Sequence, residues 1–261
     1  MDAPSEQLRR HLGHVLRDLV APDEPAPAYE LVDVLDRVRS CTLLLDGATV
    51  AEAPTWAGVV ESLLWEVNRR AVAGTDGHLL LHAAAAAAGD GGPAVVVAGE
   101  SGAGKTTLVA ALLEAGLAYV TDEAVAVELV SGVVRAYPRP LSLRPGAWTL
   151  LPGYEPVSPP AAGPYEPDRW YVPAPGRVAW HSRPALLLFP EVRTGERTRL
   201  EPLARPEALL QLAGMAFDLD RHGRAGFACL ARVVRSSRCA RLVIGDLNAA
   251  RDVVARELAA A

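Results

Sequence analysis

Lysine is nearly absent from this sequence: all of its 26 basic residues except Lys105 are arginines. Aromatic side chains are also scarce, at 5% of the 261 residues, so alanine and valine carry much of the apolar content. The three cysteines, Cys41, Cys229 and Cys239, are an odd number without metal-ligand spacing. This argues against a disulfide framework.

The sequence has no excess of positive charge and no long hydrophobic run. Its formal net charge of −5 gives no reason to expect a nucleic-acid-binding surface. The longest apolar stretch, residues 79–88, is too short to cross a bilayer and contains His82. Residues 1–10 are polar and do not resemble the start of a signal peptide. We therefore expect a cytoplasmic protein that binds neither nucleic acid nor membranes.

The segment Gly99–Thr107 reads GESGAGKTT and fits the pattern G-x-x-x-x-G-K-[ST]. The apolar run 93–98 before it is typical of a buried strand, and the helix-forming run 108–115 after it ends at Gly116. A strand, a glycine-rich loop and a helix in this order turn backbone N–H groups toward one point. The helix N-terminus adds its partial positive charge there. The pattern therefore predicts a phosphate-binding loop (P-loop).

The expected ligand of this loop is a nucleoside triphosphate, with ATP and Mg²⁺ as cofactors. Lys105 can reach the β and γ phosphates, and the hydroxyl of Thr106 can hold Mg²⁺. The residues predicted to bind the nucleotide are Gly99, Glu100, Ser101, Gly102, Ala103, Gly104, Lys105, Thr106 and Thr107.

Two adjacent acids, Asp122 and Glu123, follow the predicted strand 117–121. An aspartate at this position can ligate Mg²⁺, and either carboxylate can accept a proton from an attacking hydroxyl. We therefore predict Thr106 and Asp122 as metal ligands. The base is left open between Asp122 and Glu123.

One histidine and two arginines are further candidates. His82 is a titratable residue within an apolar strand, and a hairpin through residues 89–92 is expected to leave it some distance from the start of the glycine-rich loop. Arg139 or Arg144, beside prolines soon after the acids, can stabilise charge on the γ phosphate as an arginine finger does.

The predicted architecture is α/β, with a mixed β-sheet and the strand, P-loop and helix at its centre. Residues 1–75 are expected to form an N-terminal α+β subdomain, and residues 76–261 an ATP-binding kinase domain. The proline-rich segment 152–177 is predicted to be a surface loop. Trp56 and Trp65, on a predicted helix, are expected to pack against the core.

His82-Ala83, the segment Gly99–Thr107 and the run Tyr119-Val-Thr-Asp-Glu123 together resemble the core of the HPr kinase/phosphorylase family. The matching positions cover residues 79–146. The resemblance implies a fold like the C-terminal domain of HPr kinase and the phosphoenolpyruvate carboxykinases. It also implies Mg-ATP-dependent phosphorylation of a hydroxyl, with Asp122 as the base and with His82 and Arg144 assisting at the γ phosphate.

The chain looks closer to the HPr-kinase-related proteins of bacterial biosynthetic clusters, through Leu81-His82-Ala83 and the segment Pro138–Arg144. Some of these proteins phosphorylate a serine of a ribosomal peptide, such as a lasso-peptide precursor. The likeness implies a peptide or protein substrate, and the family tendency favours a homo-oligomer. Thr106 stands in place of the usual serine, Glu123 replaces a second aspartate, and the family's downstream glycine-rich segment has no clear match.

A kinase acting on a serine of a peptide or protein is therefore the expected function. Two alternatives stay open. One is a small-molecule kinase, acting on free serine or another metabolite. The other is a regulatory protein that binds ATP without transferring its phosphate.

Overall fold

The computed structural model describes residues 6–19, 29–35, 39–154 and 170–261, and they form a mixed α/β protein with a mixed β-sheet. The strands are β1 (Tyr29–Leu35), β2 (Arg39–Leu45), β3 (Ala48–Ala53), β4 (His78–Ala87), β5 (Pro93–Ala98), β6 (Ala118–Thr121), β7 (Ala124–Glu128), β8 (Val134–Arg135), β9 (Leu141–Leu143), β10 (Trp170–Val172), β11 (His181–Val192), β12 (Arg199–Pro202) and β13 (Arg238–Ile244). The helices are α1 (Glu6–Val15), α2 (Trp56–Ala73), α3 (Lys105–Glu114), α4 (Pro145–Trp148), α5 (Arg205–Gly214), α6 (Leu219–Ser236) and α7 (Leu247–Ala259).

The chain divides into two compact units. The first comprises Met1–Thr75 and Ser142–Pro173, and the second comprises Asp76–Leu141 and Ala174–Ala261. The segment 142–173 thus lies with the first unit, whereas we expected it in the second domain. Sequence proximity favoured the second assignment, because nothing in the composition of this segment marks a return to an earlier unit.

The first unit is built on the antiparallel sheet β1-β2-β3, which shares one apolar core with α1 and α2. The turn between β2 and β3 places Asp46 (φ 50°) and Gly47 (φ 78°) in the left-handed region, as a two-residue hairpin turn requires. Thr55 is the N-cap of helix α2, and its hydroxyl accepts a hydrogen bond from the N–H of Gly58. The indole of Trp65 is 65% exposed, so the expectation that it packs in the core is wrong.

Strands β9 and β10 pair with each other, and apart from Leu141 of β9 they belong to the later segment of the first unit. Strand β10 falls within the predicted surface loop 152–177, and a 3₁₀ turn spans Pro152–Tyr154. Tyr171 of β10 is buried in the core of the first unit. Residues 155–169, the centre of the predicted loop, lie outside the described residues.

The second unit is built on a mixed sheet with the order β12-β13-β11-β5-β4-β7-β8, and β6 pairs with β4 beside β7. Strand β11 runs parallel to β5 and β13, whereas β4 is antiparallel to each of its partners β5, β6 and β7. Alanines 83–87 of β4 are fully buried, which fits a central strand covered on both faces.

Helix α6 of the second unit is interrupted at Gly223, whose φ is 49°. Within the described ranges, no helix combines the length and apolar character that a membrane crossing needs.

Replacing Asp246 by alanine is expected to lower the free energy of unfolding by about 1 kcal/mol. Its carboxylate caps α7 by accepting a hydrogen bond from the N–H of Ala249 at 2.8 Å. Urea denaturation measures the change. Asp252→Ala, nearly two turns later, removes an exposed carboxylate that pairs with the partly buried Arg251; it is the matched control and is expected to change stability by less than about 0.5 kcal/mol. Equal losses in both variants would contradict the capping role.

Candidate functional site

The glycine loop, residues 99–104, leaves the sheet beside His82. The last residue of β5, Ala98, lies opposite Ala83 of β4, so the next residue of the chain starts the loop next to His82. This corrects the expectation that His82 lies some distance from the loop. The tight turn 89–92 fixes the hairpin register, and the two strands are long enough for their far ends to meet at the loop.

The acid pair, Asp122 and Glu123, reaches the same stretch of β4 from its other edge. Strand β6 pairs with β4 as far as Thr121, and β7 resumes at Ala124, which lies opposite His82. The acid pair lies between the last residue of β6 that pairs with β4 and the first residue of β7 that does. The glycine loop and the acid pair therefore flank one short stretch of a central strand.

The glycine loop has a conformation that requires glycine at two positions. Gly102 (φ 86°) and Gly104 (φ 87°) lie in the left-handed region, and Gly104 directly precedes α3. A Cβ at Gly99 would lie 3.3 Å from the Cβ of Ala103, so the loop also folds closely on itself. The first N–H groups of α3 have no acceptor within the helix. Together with the helix dipole, they make this end of α3 suited to an anion.

Lys105 is the buried cation of the site, with 6% of its surface exposed. Its ammonium donates to the carbonyl oxygens of Gly99 (2.7 Å) and Glu100 (2.9 Å) and lies 3.1 Å from Nε2 of His82. Burial lowers the pKa of Lys105, and the acid pair opposes that shift. The three donors of the ammonium thus match three acceptors.

His82 links Lys105 to the acid pair. Because an ammonium has no lone pair, its contact with Nε2 requires that nitrogen to be the acceptor, which puts the ring proton on Nδ1. Nδ1 faces Oε1 of Glu123 at 3.6 Å. Burial, aided by the charge of Lys105, lowers the pKa of His82, and Glu123 opposes the shift. His82 is therefore neutral at pH 7.

The lowered pKa of His82 predicts a loss of stability in mild acid. In the unfolded chain its pKa is near 6.5. A group whose pKa is lower in the folded state contributes stability that is complete above about pH 6.5 and is lost as the pH falls through the folded pKa. Replacing His82 by glutamine should therefore flatten the decline in the free energy of unfolding below about pH 6.5, measured with urea.

The half-exposed His181 provides the control for this measurement. His181→Gln is expected to leave the decline as steep as in the wild type. An equally steep decline in the His82→Gln protein would show that His82 is not its source.

The two carboxylates of the acid pair differ in exposure. The side chain of Asp122 is 1% exposed, accepts a hydrogen bond from the Tyr119 hydroxyl (3.3 Å) and lies 3.8 Å from Nε of Arg139. The side chain of Glu123 is 36% exposed, and its Oε2 lies 3.3 Å from Nη1 of Arg139. Burial, followed by the charge of Asp122, raises the pKa of Tyr119 well above its usual value, so Tyr119 stays a neutral donor.

Of the two candidate arginines, the structure brings Arg139 to the acid pair. Its side chain is 12% exposed, and it contacts both carboxylates of the pair. Arg144 belongs to the first unit, where it is exposed and stands at the N-cap position of α4. Its action at a γ phosphate stays a prediction.

Sequence reasoning missed two aromatic residues that shape the site. The hydroxyl of Tyr119 lies 2.9 Å from the backbone carbonyl of Arg139 and 3.3 Å from Oδ1 of Asp122, so its one proton is shared between these two acceptors and links the two segments. Phe217 packs edge-on against the His82 ring, with centroids 5.6 Å apart. Tyr119 lies three residues before Asp122, but Phe217 is distant in sequence and carries no signal for this position.

The donor set fits a nucleoside triphosphate with Mg²⁺. A buried ammonium such as that of Lys105 and the first N–H groups of a helix such as α3 are donors of the kind that phosphates accept from. Thr106 and Asp122 would supply at most two oxygen ligands, which suits Mg²⁺ because this ion is usually held by one or two side chains together with phosphates and water. Among the described residues, no cluster of three or more His, Cys, Asp or Glu side chains could hold a metal by itself.

No protein-family model matches this chain, and no curated protein matches it. The function proposed below therefore depends on the residues, the geometry and the chemistry of the site.

Proposed function

We propose that the second unit binds Mg-ATP at residues 99–107 and transfers the γ phosphate to a hydroxyl group. The observation that carries this proposal is the position of Lys105. The single lysine of the chain follows a glycine loop, is buried, and lies between the loop carbonyls and His82, next to the acid pair.

Phosphate binding would exchange hydrogen bonds at Lys105. The ammonium now donates to Gly99 and Glu100, and phosphate oxygens would replace one or both of these carbonyls. Charge-assisted hydrogen bonds to a phosphate are stronger than those to a neutral carbonyl, which favours the exchange. Thr106 and Asp122 would hold Mg²⁺, which when bound neutralises charge on the phosphates.

The acid pair supports the transfer itself. The acceptor oxygen forms a bond to the γ phosphorus, the bond from that phosphorus to the bridging oxygen of ADP breaks, and the hydroxyl proton passes to a carboxylate. Asp122 and Glu123 can each accept it: Asp122 is held by Tyr119 and Arg139, and Glu123 is the more exposed. Arg139 lies where it would offset the charge of the acid pair.

The acceptor we propose is a serine of a peptide or protein. The support for this choice is the resemblance of residues 79–146 to the HPr-kinase-related proteins, some of which phosphorylate a ribosomal peptide. The glycine loop, Lys105 and the acid pair serve any hydroxyl acceptor, so the acceptor class depends on the resemblance alone.

The experiment that tests the proposal is direct phosphate transfer. Purified protein is incubated with Mg²⁺, ATP labelled in its γ phosphate, and two acceptor sets: serine-containing peptides, and a panel of metabolites that includes free serine. We expect label in the peptides and none in the metabolites. Label in metabolites alone would replace the peptide kinase with a small-molecule kinase, and ATP binding without transfer to either set would leave only a nucleotide-binding protein.

A further inference from the structure

A short segment of backbone continues the sheet where β5 ends. Beyond the glycine loop, residues 215–217 take the place of β5 on the edge of β4. The N–H of His82 donates to the carbonyl of Met215 (2.6 Å), and the N–H of Phe217 donates to the carbonyl of Leu80 (3.0 Å). Leu81 and Ala216, which lie between these two hydrogen bonds, form an antiparallel pair. The backbone of Phe217 is therefore fixed on the strand that carries His82.

Asp218, the residue after Phe217, also holds residues 215–217 against β4, through its side chain. Asp218 accepts a hydrogen bond from the N–H of Leu80 at 3.3 Å, and its other carboxylate oxygen lies 3.1 Å from Nε2 of His222. Both of these side chains are largely buried. The backbone position of Phe217 is thus set by polar contacts that do not involve its ring.

The ring of Phe217 is exposed despite this rigid position. It is 48% exposed, and its one ring neighbour within the described residues is His82, at an interplanar angle of 72°. A large apolar side chain on a fixed backbone, beside a candidate reactive group, offers apolar area that a ligand can cover.

The contacts of His82 indicate which kind of ligand would cover the Phe217 ring. Lys105 joins the glycine loop to Nε2 of His82, and the Phe217 ring packs on the same imidazole. The contacts thus run from the loop through Lys105 and His82 to Phe217. If Lys105 holds the terminal phosphates, only His82 separates Phe217 from them, so the ring is close enough to contact a group that approaches the γ phosphorus.

We propose that Phe217 is the acceptor-side specificity contact, packing against an apolar side chain that neighbours the phosphorylated serine. This inference rests on the proposed kinase function and deepens it, because it names the part of the acceptor that is recognised beyond its hydroxyl. The ring does not take part in the phosphate transfer.

The test is a positional-scanning peptide library. Each nonapeptide has a central serine and one flanking position fixed as leucine, phenylalanine, aspartate or arginine, and phosphorylation is followed with γ-labelled ATP. The wild type is expected to prefer an apolar residue at one flanking position by about ten-fold, the scale of discrimination in an apolar pocket. Phe217→Ala should reduce this preference to about two-fold or less, and Phe217→Leu should retain most of it.

Two matched measurements complete the test. Phe227→Ala removes a phenylalanine of similar exposure, 46%, from α6 and is expected to keep the preference of the wild type. The dissociation constant of ADP, measured by calorimetry, should change by less than about two-fold in Phe217→Ala, because the ring is proposed to face the acceptor and not the nucleotide.

The outcomes separate this inference from the proposed function. If the wild type phosphorylates no peptide, the peptide-kinase function fails and this inference fails with it. If the wild type phosphorylates peptides and Phe217→Ala keeps the same preference, only this inference is overturned. Weakened ADP binding in Phe217→Ala would also overturn it, because the ring would then contact the nucleotide.

Discussion

Replacing Lys105 by methionine is expected to lower the rate of phosphate transfer about 10³-fold. Methionine has a similar length and fills the space, so the change removes the ammonium and little else. The ammonium now has three partners, His82 and the carbonyls of Gly99 and Glu100, and no second lysine exists in the chain to replace it. Steady-state rates with a labelled peptide acceptor measure the loss.

Two further variants show whether the loss of rate is specific to the ammonium of Lys105. Arg135→Met removes a basic side chain from an exposed ion pair with Glu128, and it is expected to keep the rate within about two-fold. Lys105→Arg is expected to remain strongly impaired, because a planar guanidinium does not reproduce a compact ammonium in a buried space. A Lys105→Met protein that transfers phosphate at the wild-type rate would exclude the proposed phosphate site.

Replacing Asp122 by asparagine is expected to lower the rate about 10³-fold as well. The amide keeps the shape of the side chain and can still accept from Tyr119, but it has no charge for Mg²⁺ and cannot accept the hydroxyl proton. We also expect the free energy of unfolding to fall by about 1–3 kcal/mol, because Arg139 loses one of its two anionic neighbours in a largely buried position.

Glu123→Gln and Glu128→Gln are the comparison variants for Asp122. Glu128 forms an ion pair with Arg135 at the surface, so its variant is expected to transfer phosphate at close to the wild-type rate. Glu123→Gln distinguishes the two candidate bases. If Asp122→Asn retains the wild-type rate while Glu123→Gln loses it, the base is Glu123 and the assignment to Asp122 is wrong.

The hairpin that positions the site could be predicted from the sequence. The apolar run from Leu79 and the run from Pro93 are separated by Gly89-Asp90-Gly91-Gly92, and the structure forms β4 and β5 with that turn between them. The contact of His82 with Lys105 could not be predicted, because it depends on the register of the hairpin. A shift of one residue would turn His82 to the other face of the sheet.

The length of β11 shows how prolines limit such predictions. Pro184 and Pro190 argue against a strand that continues through them, but β11 spans His181–Val192. Pro184 coincides with a shift in the pairing of β11 with β5. Pro190 lies beyond the last pair with β5, so its missing N–H costs no bond on that side. Neither compensation is visible in the sequence.

The central residues of the site could be named from the sequence more readily than Arg139 and Phe217, which lie around them. The glycine loop, Lys105, His82 and the acid pair were all named as candidates from the sequence, because each follows or lies in a recognisable strand, and the structure places them beside one another. Arg139 and Arg144 both stand beside prolines after the acids, and the resemblance favoured Arg144, whereas the structure brings Arg139 to the acid pair. Phe217 is brought to His82 by pairing of residues 215–217 with β4, a contact between distant parts of the chain.

The most direct test of the central claim, that Lys105 contacts the phosphates of a bound nucleotide, is amine footprinting. Because Lys105 is the single lysine, every side-chain amine that reacts with an acetylating reagent is this one, and mass spectrometry of its peptide reports the rate. With Mg-ATP at ten times its dissociation constant, the acetylation of Lys105 should slow about ten-fold, while the chain's α-amino group reacts as before. Equal rates of Lys105 acetylation with and without saturating Mg-ATP would contradict the account.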